Sequence, residues 1–350
     1  MTRSYAAASA VAGVLLVLAL SVDAGPVGDR LDRFRELAAD RLSAAQILDA
    51  DAAAEAYRDA YALLDEEIVE SLGSGSVFAS IGFLQERLDA FGDAWGGAAV
   101  RIVRLGKFTV GVFQLGDRAV GNSVRVYGRL RDEAALLTTL AREGRPALYA
   151  LPSAAGGAVQ FLVAWDGTGS SRGSRPVRLE VARQHGDGVR VVWSTAEVYS
   201  DPLRTRSYAV RGTDLRIRYE LQYPGWVPGC DGQTEQEDVY RFNASSGTYA
   251  RLTQRQYDTW HRELHASATR FFAALAAGDR RTVATLVPDA KARERLPARL
   301  EAEPVCDATT GAKGEQVAVA ASDGQGAPWT VTFQRDGARW KVTTATPVTP

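Results

Sequence analysis

Histidine, cysteine and lysine are all scarce in this chain of 350 residues, and each scarcity narrows what it can do. The only histidines are His185, His261 and His265, so metal chemistry has little to draw on. The two cysteines, Cys230 and Cys306, lie far apart, whereas a redox centre would use a close C-x-x-C pair. Only 4 of the 41 basic residues are lysine, which reads as a high-GC coding bias rather than chemistry. Net charge is −1 and no dense basic stripe exists, so nucleic acid is not an expected partner. G-x-S-x-G, P-loop and H-E-x-x-H motifs are absent, and no catalytic residue is assigned. No segment repeats at constant length, which argues against a propeller or solenoid.

The chain has one marked apolar run, from Ala6 to Leu20, preceded by Arg3 and followed by Val22-Asp23-Ala24. The run is shorter than the roughly 20 apolar residues that cross a bilayer, and small residues follow it at cleavage spacing. Residues 1–24 therefore read as a secretory signal cut near Gly25. No cysteine follows the cut to carry a lipid, so a secreted or periplasmic product without a stable membrane anchor is expected. In that setting Cys230 and Cys306 should pair as a structural disulfide. Closing a loop of about 77 residues, the pair would stabilise by roughly 4–5 kcal/mol on the chain-entropy model.

Charge divides the remainder. Residues 25–98 carry 6 basic and 15 acidic side chains, residues 99–250 carry 20 and 15, and residues 251–350 carry 14 and 11. Hydrophobic periodicity divides it at nearly the same places. From Asp29 to Ser71 apolar residues recur at helical steps, from Leu31 and Phe34 to Leu64 and Ile68. Arg41-Leu42-Ser43 interrupts the stripe, so a second helix can start at or near Ser43. After Gly73-Ser74-Gly75, a seam of Val77, Ile81, Leu84, Leu88, Phe91 and Trp95 predicts a further helix capped by Ser76. From Val100 the period becomes two. Leu215, Ile217, Tyr219, Leu221 and Tyr223 alternate with Arg216, Arg218, Glu220 and Gln222, as in a strand with one buried face. His185-Gly186-Asp187-Gly188 predicts a hairpin between runs 177–181 and 189–193, and Asp132–Arg142 reads as an inserted helix.

Beyond Tyr257 a long helix to Ala277 is expected. A short helix at Arg280–Leu286, another around Ala290–Leu300, and strands at 315–321, 329–335 and 339–345 follow it. This order, with Arg270–Asp279 (RFFAALAAGD) and Thr332–Val342 (TFQRDGARWKV), resembles the NTF2-like, cystatin-like superfamily. The resemblance covers about 90 residues and implies a curved sheet wrapped on a helix to form a cone with a pocket, without implying an activity. The expected fold class is α+β in three parts. An acidic helical hairpin spans 25–97, an antiparallel β domain (sandwich or curled sheet) spans 98–255, and the cone spans 256–350.

Two segments stand out as sites. Tyr223-Pro224-Gly225-Trp226-Val227-Pro228-Gly229-Cys230 is a stiff loop that presents Trp226 at low entropic cost. Asp231, Glu235, Glu237 and Asp238 follow within eight residues, so Tyr223, Trp226 and these four acids form the expected ligand site. The acids do not follow EF-hand spacing. His261 and His265 share a helix face at i,i+4, but no third ligand accompanies them and Glu263 is off the zincin position. They read as surface or interdomain hydrogen bonding, and no metal or cofactor is assigned. The expected function is an exported, non-catalytic binding protein with an unidentified protein or small-molecule ligand. A hydrolase using the 231–238 carboxylates is the first alternative and a structural envelope component the second.

Overall fold

The computed structural model describes residues 27–46, 50–75, 77–116, 118–154, 156–169, 173–310, 315–337 and 339–348. The signal-like segment 1–24 and the Ser76 cap lie outside the described residues. The chain is α+β, with three helices first, then strands in three antiparallel sheets.

The helices are α1 (Val27–Gln46), α2 (Ala50–Gly73) and α3 (Ile81–Ala94). Ser80 caps α3 by accepting the Phe83 N–H. The seam expected from Val77 therefore starts one turn later, and Val77 itself is 71% exposed on a short 3-10 turn. Phe34, Leu64, Ile68, Leu84, Leu88, Phe91 and Trp95 fill the space between the helices. That core continues into Val100, Ile102, Phe113, Leu115 and Tyr127 of the first sheet, so the helices and this sheet share one hydrophobic interior.

The first sheet runs β1 (Ala99–Leu105), β2 (Phe108–Gln114), β3 (Asn122–Leu130) and β4 (Glu133–Ala141) in sequence order. The helices cover one face. Phe108, Val110, Val112, Val124 and Val126 of the other meet Phe161, Val163 and Trp165 of the second sheet. Burial on both faces explains why β2 is apolar almost throughout. Strand β4 replaces the helix expected at Asp132–Arg142. Arg131 and Asp132 take positive φ (53° and 69°), folding the chain back so that Leu130 faces Glu133. Thr138 then accepts the Val189 N–H at 3.1 Å across to the second sheet. Ladder pairing and this contact outweigh the helix propensity of an Ala- and Leu-rich stretch.

The second sheet is built from β5 (Arg145–Ala150), β6 (Gln160–Asp166), β7 (Arg175–His185), β8 (Gly188–Ser194), β9 (Leu203–Arg211), β10 (Asp214–Glu220), β11 (Glu235–Asn243) and β12 (Thr248–Tyr257). Its order is β12-β11-β10-β9-β7-β6-β5, with β8 folded onto β7. The sheet curls on itself. Trp193 on β8 lies 5.0 Å, ring to ring, from Tyr249 on β12 and 6.2 Å from Tyr240 on β11. Leu215, Ile217 and Tyr219 point into that curl, as their alternation predicted.

Strand β12 runs straight into α4 (Thr259–Ala276), through Asp258 in the left-handed region (φ 51°). Helices α5 (Arg280–Leu286) and α6 (Ala290–Glu294) follow, capped by Asp279 and Asp289. The third sheet has the order β13-β15-β16-β17, with β14 also on β15. Its strands are β13 (Leu300–Ala302), β14 (Ala308–Thr310), β15 (Gln316–Asp323), β16 (Pro328–Asp336) and β17 (Arg339–Pro347). Leu264, Phe271, Val317, Val331, Phe333 and Trp340 fill the space between α4 and this sheet, where the resemblance implied a pocket. No helix among the described residues is long and apolar enough to cross a membrane.

Candidate functional site

The second sheet and the C-terminal unit meet where the segment between β10 and β11 crosses α4. Cys230 in that segment is disulfide-bonded to Cys306, with Cα atoms 5.4 Å apart. The loop is also held from within. Gln233 accepts the Val227 N–H at 2.8 Å and donates to the carbonyls of Val227 and Cys230. The Trp226 N–H donates to the Tyr223 carbonyl at 2.9 Å, which closes a turn with Gly225 at φ 87°. A Cβ at Gly225 would sit 1.8 Å from His265 Nδ1, so only glycine lets the turn rest on the helix. Thr234, fully buried, completes the seam: its hydroxyl donates to the Asp258 carbonyl and accepts the Arg262 N–H near the start of α4.

Under this loop lie His261 and His265, one helical turn apart, with ring centroids separated by 4.6 Å. The third member is Asp307, directly after the disulfide. Its Oδ2 is 2.6 Å from His265 Nε2 and 3.0 Å from His261 Nε2. All three side chains are buried, and the donor atoms of the group fall within 4.8 Å of one another. Tyr223 adds a fourth member, with its oxygen 2.5 Å from His261 Nδ1. The Thr234 N–H donates to the Tyr223 oxygen, and in the His261 tautomer that donates from Nε2 to Asp307 the Nδ1 accepts from the Tyr223 O–H. Burial works against the Asp307 charge, but hydrogen bonds from His261 and His265 outweigh it and hold the carboxyl below its ordinary range. Burial pushes the Tyr223 phenol up, so it stays protonated.

The residues grouped by sequence are dispersed. Tyr223 joins the histidines, and Trp226 sits half-buried on the loop, its indole N–H without an acceptor among the described residues. Asp231 is exposed at the turn. Glu235 is bound by Arg206 and Arg218, and Glu237 faces Arg216 at 3.6 Å. Asp238 points to the opposite face of β11, fully buried, where it accepts from Tyr199 at 2.9 Å, Gln236 at 3.0 Å and Tyr219 at 3.3 Å. Strand alternation sends neighbouring side chains to opposite faces, so four acids close in sequence do not make one site. Each of the three on β11 is already paired.

Sequence reasoning found the histidine pair and missed Asp307, which lies 42 residues beyond His265. The signal that could have found it was the disulfide. Pairing Cys230 with Cys306 places position 307 beside the loop that carries Tyr223. A cleft of about 610 Å³ lies elsewhere, bordered by Arg142, Trp165, Arg178 and Asp201. Of its charges, Arg142 pairs with Glu180 and Arg178 with Asp201.

No family model matches the chain, and no curated relative matches it. Among solved structures, an α-L-arabinofuranosidase from Fusarium graminearum, in complex with an iminosugar inhibitor, matches 72% of this chain and 66% of its own at 9% identity, TM-score 0.24. This chain therefore spans just under two thirds of that enzyme. A protein from Lactobacillus plantarum matches 71% of this chain and 72% of its own at 9% identity, TM-score 0.17. Likenesses of that size carry no argument about this chain.

Proposed function

We propose that the chain is an exported, non-catalytic binding protein of the cell envelope or extracellular space, and that it takes its ligand at the Trp226 loop. We also read the C-terminal unit as NTF2-like, used here as a platform for that loop rather than as a pocket. One observation carries the reading. In a loop held by internal hydrogen bonds, the Trp226 indole N–H is buried and has no acceptor among the described residues, while the residue as a whole is only partly buried. An orphaned donor costs about 1–3 kcal/mol, which an accepting group on a ligand would relieve once the ring turns to bring its buried nitrogen to the surface. The stiffness of the Pro224–Pro228 loop, pinned by disulfide and Gln233, lowers the entropic cost of that contact. Export is supported by the signal-like first 24 residues and by the disulfide. The hydrolase alternative is weakened because Glu235 and Asp238 diverge to opposite faces of β11.

The test is a binding screen of the mature chain against extracellular oligosaccharides and peptides by surface plasmon resonance, repeated with Trp226→Ala. The expected result is at least one ligand whose affinity drops tenfold or more in the variant, about 1.4 kcal/mol. Ligands that bind both proteins equally would move the site away from this loop.

A further inference from the structure

The geometry points to a transition-metal site at His261, His265 and Asp307, of the class that holds Zn²⁺ or Co²⁺, with Tyr223 as its outer support. The inference goes beyond the binding reading and does not depend on which ligand Trp226 meets.

The first argument is composition. The chain has 41 basic side chains and three histidines, and two of those three converge on one carboxylate oxygen. Of the other buried acids, Glu67 is matched by Arg30 and Arg87, Glu180 by Arg142 and Trp165, Glu235 by Arg206 and Arg218, and Asp238 chiefly by tyrosines and Gln236, while Glu220 has no hydrogen-bond partner among the described residues. Arginine and tyrosine suffice to neutralise or hydrogen-bond a carboxylate. Imidazole adds a lone pair that can replace a proton with a metal ion.

The second argument is geometry. Both histidines present Nε2, one turn apart on α4, and Asp307 Oδ2 closes the triangle. Zinc–nitrogen bonds of about 2.0–2.1 Å put tetrahedral ligands roughly 3.3 Å apart. The two nitrogen–oxygen edges, 2.6 and 3.0 Å, are hydrogen bonds that open by some tenths of an ångström when an ion replaces the bridging protons. Each ligating imidazole then carries its remaining proton on Nδ1. At His261 the Tyr223 O–H turns aside and its oxygen, 2.5 Å away, accepts that proton, which is the support a ligating histidine needs. Two imidazoles and one carboxylate suit zinc or cobalt rather than calcium or magnesium. Three protein ligands leave a fourth position for water or for a donor carried by a partner. Gly225, the loop residue that rests on His265, is itself exposed.

The experiment titrates the disulfide-intact mature protein, stripped with chelator, with Zn²⁺ against a chromogenic competitor and with Co²⁺ for its visible bands. One equivalent of Zn²⁺ should bind at micromolar affinity or tighter. His261→Ala, His265→Ala and Asp307→Ala should each weaken it at least 100-fold. Tyr223→Phe, which keeps the ring packing, should weaken it roughly 10-fold through the lost support. His185→Ala on the distant hairpin should leave it unchanged. Circular dichroism on every variant separates lost ligands from lost fold, and Tyr223→Phe keeps the test alive if the others unfold. No zinc uptake by the folded wild type, or uptake undiminished in a folded His261→Ala/His265→Ala double variant, overturns the assignment. Neither outcome touches the Trp226 screen, so the two readings fail separately.

Discussion

Glu67 and Asp307 are both buried carboxylates gripped by two basic side chains, one among the N-terminal helices and one beside the C-terminal sheet, and they differ in what those side chains can do. Glu67 on α2 is bound by Arg30 from α1 at 3.2 Å and by Arg87 from α3 at 2.9 Å, which ties three helices together. Guanidinium cannot give up its charge or act as a ligand, so this cluster serves only to hold the helices. Asp307 is bound by imidazoles, whose nitrogens exchange roles with protonation, and one of them is positioned by Tyr223. The same burial therefore supports architecture at one end and adjustable chemistry at the other. A buried polar cluster is informative through the chemistry of its partners more than through its depth.

The comparison can be broken most forcefully at Glu67. Glu67→Gln removes the shared anion, but Arg30 keeps Glu66 and Glu70, so the loss should fall at the lower end of the about 3–5 kcal/mol that breaking a buried pair from one side costs. Urea melts should show that loss, and a deficit under about 1 kcal/mol would assign the helical junction to its aromatic core instead. Next is Gly225→Ala, which forces a Cβ against His265 at a positive φ. Strain of this kind costs roughly 1–3 kcal/mol. A thermal melt indistinguishable from wild type would mean that the loop does not rest on α4. Thr234→Val removes the hydroxyl that bridges Asp258 and Arg262, with an expected loss of about 1 kcal/mol, typical of a lost helix cap. A matching loss in His185→Ala would show that the measurement is not specific to the junction.

The smallest effect is a pH dependence. The Asp307 pKa is lower in the folded chain than in the unfolded one. Its contribution is then fully present above the unfolded value near 3.9 and is lost as pH falls through the folded value. Stability of the wild type and of Asp307→Asn should therefore differ at neutral pH and converge on acidification below about pH 4. A gap that stays constant through that range would show that the carboxylate's charge does not matter there.

Much of this fold was legible in local pattern. The alternation of Leu215, Ile217 and Tyr219 predicted β10, the His185–Gly188 turn predicted the β7–β8 hairpin, and α5 falls at Arg280–Leu286 as read. The failures share a cause. At β4 local propensity favoured a helix, and the strand forms because β3 and Val189 supply partners that the segment itself does not specify. Strand β9, whose residues alternate only weakly in burial, gave no clean period to read. The site divides the same way. His261 and His265 were visible as a pair because helical spacing is local, while Asp307 was not, because its distance from them in sequence carries no period at all.

The sequence by itself determined which elements form over most of the chain and which two cysteines pair. Those outcomes depend on periodicities of 2 and 3.6 residues or on there being only two cysteines to join. The tertiary structure decided that the helices share a core with the first sheet, that α4 packs on the third sheet through a second core, and that the acids of β11 are dispersed. It also decided that the last two histidines close on Asp307 beneath Tyr223. These depend on which surfaces meet when the chain collapses. Contacts across tens of residues are selected by burial and complementarity summed over the whole molecule, and no short stretch of sequence encodes that sum.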